Sequence, residues 1–255
     1  MVGSMLVTGG RGFIGSRIAR AAREHGWRVR VIDSLRADVH ANEPHTGDVD
    51  DVEFVHADLA DESTLLLALR GVEVVCHQAA KVGLGVDFAD APDYVRSNDL
   101  ATATLLAGMS RAGVGRLVLA SSMVVYGEGR YRDALGPVVA PPREARDLDA
   151  GQFEPISPRT GEPLESEPIS EDSPLDPRNV YAASKLMQEH LSAVWARETG
   201  GTVAALRYHN VYGPGMPRST PYAGVAAIFR SSLEAGHPPQ VFEDGGQRRD
   251  FVHVD

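Results

Sequence analysis

Short runs rich in β-branched and apolar residues alternate along this chain with amphipathic stretches of helical period, and that alternation constrains the fold more than any other feature. Candidate strands cover residues 5–8, 28–32, 53–56, 72–77, 116–120 and 202–207; candidate helices cover 13–24, 62–69, 94–111 and 180–199. Runs such as Val72-Glu73-Val74-Val75-Cys76 and Leu117-Val118-Leu119-Ala120 are nearly continuous in apolar residues, as strands covered on both faces require. Strand and helix alternating through most of the chain imply an α/β fold with a doubly wound parallel sheet. With 255 residues, 43% of them hydrophobic, the chain can bury the core of one large domain and a small second one.

The alternation breaks over residues 127–179, where nine of the sixteen prolines fall. Proline removes a donor and fixes φ, so a helix or central strand is not expected there. The stretch reads as a long loop laid over the surface or as partly disordered, and its place between the chemistry-bearing segments favours a lid. The pattern turns irregular again after residue 210. The expected organisation is a large domain over 1–210, interrupted at about 128–179, and a small lobe over 211–255 that looks cut short.

Charge narrows the function. Thirty-five acidic against 25 basic residues leave a net −10, which disfavours wrapping a nucleic-acid backbone. The single cysteine, Cys76, rules out an intrachain disulfide framework or a cysteine-built zinc site, and no metal site is expected. No run approaches 18 apolar residues, and the first strand starts almost at once. A cytoplasmic protein without membrane or nucleic-acid partners is the expectation.

Two clusters carry chemistry. Thr8-Gly9-Gly10-Arg11-Gly12-Phe13-Ile14-Gly15 lies between the first strand and the first helix. Glycines at 9, 12 and 15 permit a tight turn, close approach of a pyrophosphate to the backbone, and close helix–sheet packing. Asp33, eighteen residues beyond Gly15, ends the second strand and suits the ribose hydroxyls of NAD; Arg36 nearby keeps NADP open. Further on, Tyr181 and Lys185 stand at i and i+4 on one helix face. A tyrosine with its ordinary pKa near ~10 is a poor base unless a cation favours the phenolate, and Lys185 can supply that charge. Ser121 and Ser122 close the fifth strand, at the end of the sheet where ligands bind.

Together these motifs resemble the extended short-chain dehydrogenase/reductases, specifically the nucleotide-sugar epimerase group of the UDP-galactose 4-epimerase type. The likeness runs in order through Thr8–Ser16, Asp33, Asp58-Leu59, His77-Gln78-Ala79-Ala80, Asn98, Ser121 to Gly127, Tyr181 to Lys185, Arg207 to Pro214 and Asp244 to Asp255, leaving only the proline-rich stretch unmatched. It implies a Rossmann domain binding NAD through Gly9, Gly12, Phe13, Ile14, Gly15, Asp33, Ser34, Asp58, Leu59, Gln78, Ala79, Ala80, Lys81, Asn98, Ser121, Tyr208 and His209. It further implies Ser122, Tyr181 and Lys185 as the catalytic group, with Tyr181 and Lys185 also touching the cofactor. A nucleotide-diphosphate sugar would meet Ser122, Tyr181, Asn210, Phe242 and Arg249, the last at the diphosphate. Family members dimerise through the helices at 94–111 and 180–199, so a homodimer is implied, and they usually continue beyond the segment ending at Asp255.

Dehydratase and decarboxylase branches of the group place acidic residues after the catalytic serine; here Met123 and Val124 occupy those positions, and neither exchanges a proton. The expected reaction is therefore epimerisation at C4 of a UDP- or dTDP-hexose, by oxidation to a 4-keto sugar and return of hydride to the other face. The proline-rich stretch looks like that of epimerases acting on dTDP-6-deoxyhexoses, while UDP-hexoses and UDP-uronic acids stay open. A 4-ketoreductase consuming NAD(P)H is the runner-up, distinguished by whether purified protein retains its cofactor. A dinucleotide-sensing regulator would have no use for Tyr181, Lys185 and Ser122 together.

Overall fold

The computed structural model describes residues 2–40, 52–83, 87–217 and 224–255. Its first half is built from β1 (Ser4–Thr8), α1 (Phe13–Glu24), β2 (Arg28–Asp33), the short α2 (Ala37–His40), β3 (Glu53–His56), α3 (Glu62–Ala68) and β4 (Val74–His77). Then α4 (Ala91–Tyr94) passes through a π-helical turn (Val95–Leu100) into α5 (Ala101–Ala112), followed by β5 (Arg116–Ser122). The expected helix at 94–111 thus starts earlier and is interrupted by a wider turn. The expected strand at 72–77 begins only at Val74.

Six parallel strands form one sheet in the order β3-β2-β1-β4-β5-β9, where β9 is Thr202–Tyr208. The chain builds outward from β1 to β3, then returns to add β4 on the other side. The crevice beyond the C-terminal ends of β1 and β4 is thus the switch point where open α/β sheets bind ligands. Successive strand residues face opposite sides of a sheet. Leu6, Ile32, Val75, Leu117 and Leu119 accordingly pack under α3, α5 and α7 (Val180–Thr199) with Leu65, Leu105, Met109 and Trp195. Their neighbours Val7, Val31 and Cys76 pack on the other side against Ala19 and Ala22 of α1.

The proline-rich stretch is not the loop expected from its composition. It holds β6 (Arg130–Asp133), β7 (Gly136–Val139), α6 (Ala145–Asp149) and β8 (Glu165–Glu167), with the three strands in one antiparallel sheet of order β7-β6-β8. What overrides the proline content is a buried charged cluster. Arg159 donates Nη2 to Asp133 Oδ1 at 2.7 Å, and the Ser157 hydroxyl donates to Asp133 Oδ2 at 2.6 Å. Pro137 survives in β7 because it lies at the edge of a three-stranded sheet, where the missing N–H removes no ladder bond.

Beyond the large sheet, β10 (Asn210–Tyr212) pairs in parallel with β11 (Phe251–His253), and α8 (Val225–Glu234) lies between them in sequence. The apolar stretch leading into α8 starts at Tyr222 and Ala223, which lie outside the described residues. Among the described residues, no helix is long and apolar enough to cross a membrane.

Candidate active site

The glycine turn leaves β1 and opens α1 with its amides free. Asp61 caps α3 through the amides of Ser63 and Thr64, and Asn179 caps α7 through that of Ala182; α1 starts at Gly12 with no side-chain cap and no acidic residue in its first turn. Its positive end is open to an anion. Gly9 sits at φ +67°, and a Cβ on Gly15 would fall 2.2 Å from the Gly9 carbonyl oxygen, so neither position accepts a side chain without opening the turn. Phe13 and Ile14 are the first residues of that helix.

Asp33, at the C-terminal end of β2, accepts hydrogen bonds from the Arg11 amide at 3.0 Å and the Leu35 amide at 2.9 Å, with His40 Nε2 at 3.6 Å. Burial raises its pKa, but His40 and the two amides outweigh that and hold it below the usual carboxylate value. A fixed anion beside Ser34 accepts ribose hydroxyls and repels a further phosphate. Arg36 is engaged elsewhere, gripping Asp93 through both terminal nitrogens at 3.0 and 2.8 Å.

Main-chain segments beyond β4 form the opposite wall. The Thr8 hydroxyl accepts from the amides of Gln78 and Ala79, and next to Ala80 the Lys81 amide donates to Asn98 Oδ1 at 2.7 Å. Asn98 Nδ2 donates in turn to the Lys81 carbonyl and the Ser184 hydroxyl. Lys81 is buried, with Nζ 2.7 Å from Asp93 Oδ2. Asp58 accepts from the Ala60 amide, a local turn, while Leu59 is buried among the core residues.

Ser122, Tyr181 and Lys185 meet between β5 and α7. The Ser122 hydroxyl faces the Tyr181 phenol and favours its ionised form, and Lys185 Nζ lies 6.0 Å from the Tyr181 ring centroid, donating to the Ala120 carbonyl at 2.9 Å. Burial pushes Tyr181 up to about 12, against the lowering effect of Ser122, and pulls Lys185 down to about 8. Burial disfavours the charged form of both groups, so the phenolate draws on Lys185 together with the positive ring of an oxidised nicotinamide. Ser121 points away, to Glu189, whose carboxylate is gripped by Arg207 Nε and Nη2 at 3.0 and 2.8 Å.

Tyr208 ends β9 and is half-buried, with its phenol bonded to Gln78; His209 Nδ1 is 4.0 Å from Asp250 Oδ2. Asn210 donates to the Asp250 carbonyl at 2.8 Å. Phe242 and Arg249 are exposed, and Arg249 turns its guanidinium to Gln247 Oε1 and the Arg248 carbonyl; the described contacts do not join them to the serine–tyrosine–lysine group. Sequence reasoning missed Glu189, which ties Ser121 to Arg207, and Asp99, which faces the Lys185 charge. The first could have been found four residues after Lys185 on the same helix face; the second has no sequence signal.

Residues 5–255 match the model of the NAD dependent epimerase/dehydratase family. The chain belongs to this family. It is 33% identical to dTDP-L-rhamnose 4-epimerase of Burkholderia thailandensis, over 98% of this chain and 69% of that one. To UDP-glucose 4-epimerase of Mycolicibacterium smegmatis it is 32% identical, with the same coverage. Its fold superposes on the Thermus thermophilus UDP-glucose 4-epimerase, solved in complex with NAD, at a TM-score of 0.73 and 30% identity, over 98% and 70% of the two chains. The parallel six-stranded sheet with its flanking helices is the Rossmann-like fold of these epimerase structures, and NAD is the family's cofactor. The uncapped α1 start and the fixed Asp33 carboxylate fit that cofactor.

Proposed function

We propose that the chain is a nucleotide-sugar 4-epimerase acting on a UDP- or dTDP-hexose. The observation that carries this is the convergence of Ser122, Tyr181 and Lys185 at the C-terminal end of β5, beside the crevice opened by the glycine turn. When bound, NAD supplies a hydride acceptor and, in its oxidised form, a positive ring that favours the phenolate. Ser122 holds the sugar hydroxyl by a hydrogen bond, and Tyr181 takes its proton and later returns it. Lys185 keeps a positive charge next to the phenol throughout. Gly9, Gly12, Phe13, Ile14 and Gly15 would hold the pyrophosphate, Asp33 and Ser34 the ribose, and the Gln78–Asn98 wall the nicotinamide side. Asn210, Phe242 and Arg249 remain the candidates for the nucleotide-sugar diphosphate.

Met123 and Val124, neither of them titratable, follow Ser122 in the 3-10 turn Met123–Tyr126, so the two positions directly after the serine offer no acid or base for elimination. The proposal also includes a homodimer through the face carrying the π turn and α7, where Val95, Leu100, Met187 and Val194 are 42 to 51% exposed. The one cysteine is a buried free thiol, which suits a reducing cytoplasm.

Proton NMR of a nucleotide-sugar panel incubated with NAD and the protein tests the reading by inversion at C4. Tyr181→Phe should lower turnover by about 10²- to 10⁴-fold while leaving NAD affinity unchanged. Wild-type turnover in that variant would remove Tyr181 from the mechanism. Light scattering that returns a monomer would reject the dimer.

A further inference from the structure

Only two of the 25 basic side chains are lysines, Lys81 and Lys185, and both are buried at the site. A lysine differs from an arginine in that burial can strip its proton, so something must keep each one charged. Lys81 has Asp93 for this purpose at 2.7 Å. Among the described residues, the direct partner of Lys185 is the Ala120 carbonyl, and a carbonyl dipole does not balance a buried charge.

The π turn brings a carboxylate into the neighbourhood of this charge without a direct ion-pair contact. Asn98 and Asp99 lie within it, and the turn is docked on the stretch of α7 that holds Lys185: Asn98 Nδ2 donates to the Ser184 hydroxyl at 2.8 Å, and Gln188 Nε2 donates to the Asn98 carbonyl at 3.4 Å. A π turn carries an extra residue and shifts the side-chain register, a device found mostly at functional sites. Asp99 Oδ1 is enclosed with no hydrogen-bond partner, an expensive state for a carboxylate oxygen. The charge acting on it is that of Lys185, and the effect is mutual.

We propose that Asp99 is a positioning residue which keeps Lys185 protonated inside the site and so holds the Tyr181–Lys185 pair ready for proton transfer. This rests on the role given to Lys185 above. The groups facing Lys185 are Tyr181 on its own helix, Asp99 on the π turn, the Ala120 carbonyl on β5 and His77 on β4, which burial and Lys185 keep neutral. Of these, only Asp99 can carry a negative charge near neutral pH.

With two lysines, protein labelled with [¹³Cε]lysine gives two resonances, and Lys81→Arg assigns them. In the unaltered protein the Lys185 resonance should titrate with a midpoint near 8 and a smaller inflection near 6, where Asp99 takes up its proton. In Asp99→Asn the inflection should vanish and the midpoint fall by about one pH unit, with the Lys81 resonance unmoved. An unchanged Lys185 curve would overturn the proposal. Should Asp99→Asn fail to fold, the unaltered protein decides alone: a single-step curve without the inflection rejects the pairing. Where epimerisation is measurable, the alkaline limb of its pH profile should move down with the Lys185 midpoint. A shifted resonance with no activity on any nucleotide sugar counts against the proposed function and leaves the Asp99–Lys185 pair standing.

Discussion

His77 is fully buried at the end of β4, with Nδ1 2.7 Å from the Thr8 hydroxyl and Nε2 2.9 Å from the Thr102 hydroxyl, which also receives Gln188 Nε2. This chain of polar groups joins β1, β4, α5 and α7 beneath the site. Burial, reinforced by the Lys185 charge, drives the imidazole down to about 3, so the folded protein keeps it neutral. The unfolded chain takes up a proton near ~6.5. Between those two values the unfolded state binds more protons, so stability is lost as pH falls below ~6.5. Urea unfolding at about pH 7 and about pH 5 should show a lower midpoint in acid, and His77→Gln should flatten that difference; an equal slope in both proteins would refute it. Tyr181, Lys185 and Ser122 were legible at this scale because each lies in a short motif whose geometry a helix or strand end fixes. Asp99 was not. Its position depends on a π turn, and nothing in Val95-Arg96-Ser97-Asn98-Asp99-Leu100 distinguishes that turn from ordinary helix.

At the scale of elements, α1 and α7 begin and end where the sequence placed them, because each has a marked start and a buried face of helical period, small residues on α1 and Ala182, Lys185, Gln188, Ser192 and Trp195 on α7. For α7 the start is Asn179, which accepts from the Ala182 amide at 2.8 Å, and the end is Gly200 at φ +73°. Asn179→Ala should cost about 1 kcal/mol in chemical denaturation. Because Tyr181 lies in the first turn, fraying there should lower kcat more than NAD affinity; a stability loss with unchanged kcat would disconnect the cap from the site. The small sheet β7-β6-β8 was illegible for the opposite reason. Its strands span three or four residues, too few for a period of two to declare itself, and β8 joins β6 from more than thirty residues away. What fixes it is Asp133, a single buried carboxylate answered by Arg159 and Ser157, a pairing no local pattern announces. Asp133→Ala removes the carboxylate that ties Arg159 and Ser157 to β6, leaving Arg159 the Gly136 and Pro137 carbonyls, and should open this sheet alone. Limited proteolysis should then cut within residues 130–167 while the large sheet and NAD binding persist; global unfolding would show the two sheets to be one cooperative unit.

For the whole molecule, the question is how that small sheet is held over the large one, since the alternation that declared the parallel sheet says nothing about an inserted unit. The junction is narrow. The chain leaves the site at Gly127, directly after Tyr126, and the returning segment of the insertion lies against it, with the Asp176 amide donating to the Val125 carbonyl at 2.9 Å. Gly127 has φ +65°, and a Cβ there would lie 2.3 Å from the Asp176 carbonyl oxygen. Farther out, Arg143 bridges Glu243 at 3.0 Å and Glu128 at 3.4 Å, while Arg207 reaches Tyr126 and the Glu171 carbonyl. An open cleft of about 300 Å³ lined by Tyr126, Tyr131, Ser170 and Pro174 borders the returning segment. Gly127→Ala should displace that segment rather than unfold the protein, at a cost of about 1 to 3 kcal/mol from the strained φ and the contact. Because Asp176 is followed within a few residues by Asn179 and Tyr181, the displacement should reach the phenol. The expected outcome is a large loss of turnover with NAD affinity retained. Equal turnover in Gly127→Ala and the unaltered protein would mean that the inserted sheet rides on the site without helping to shape it.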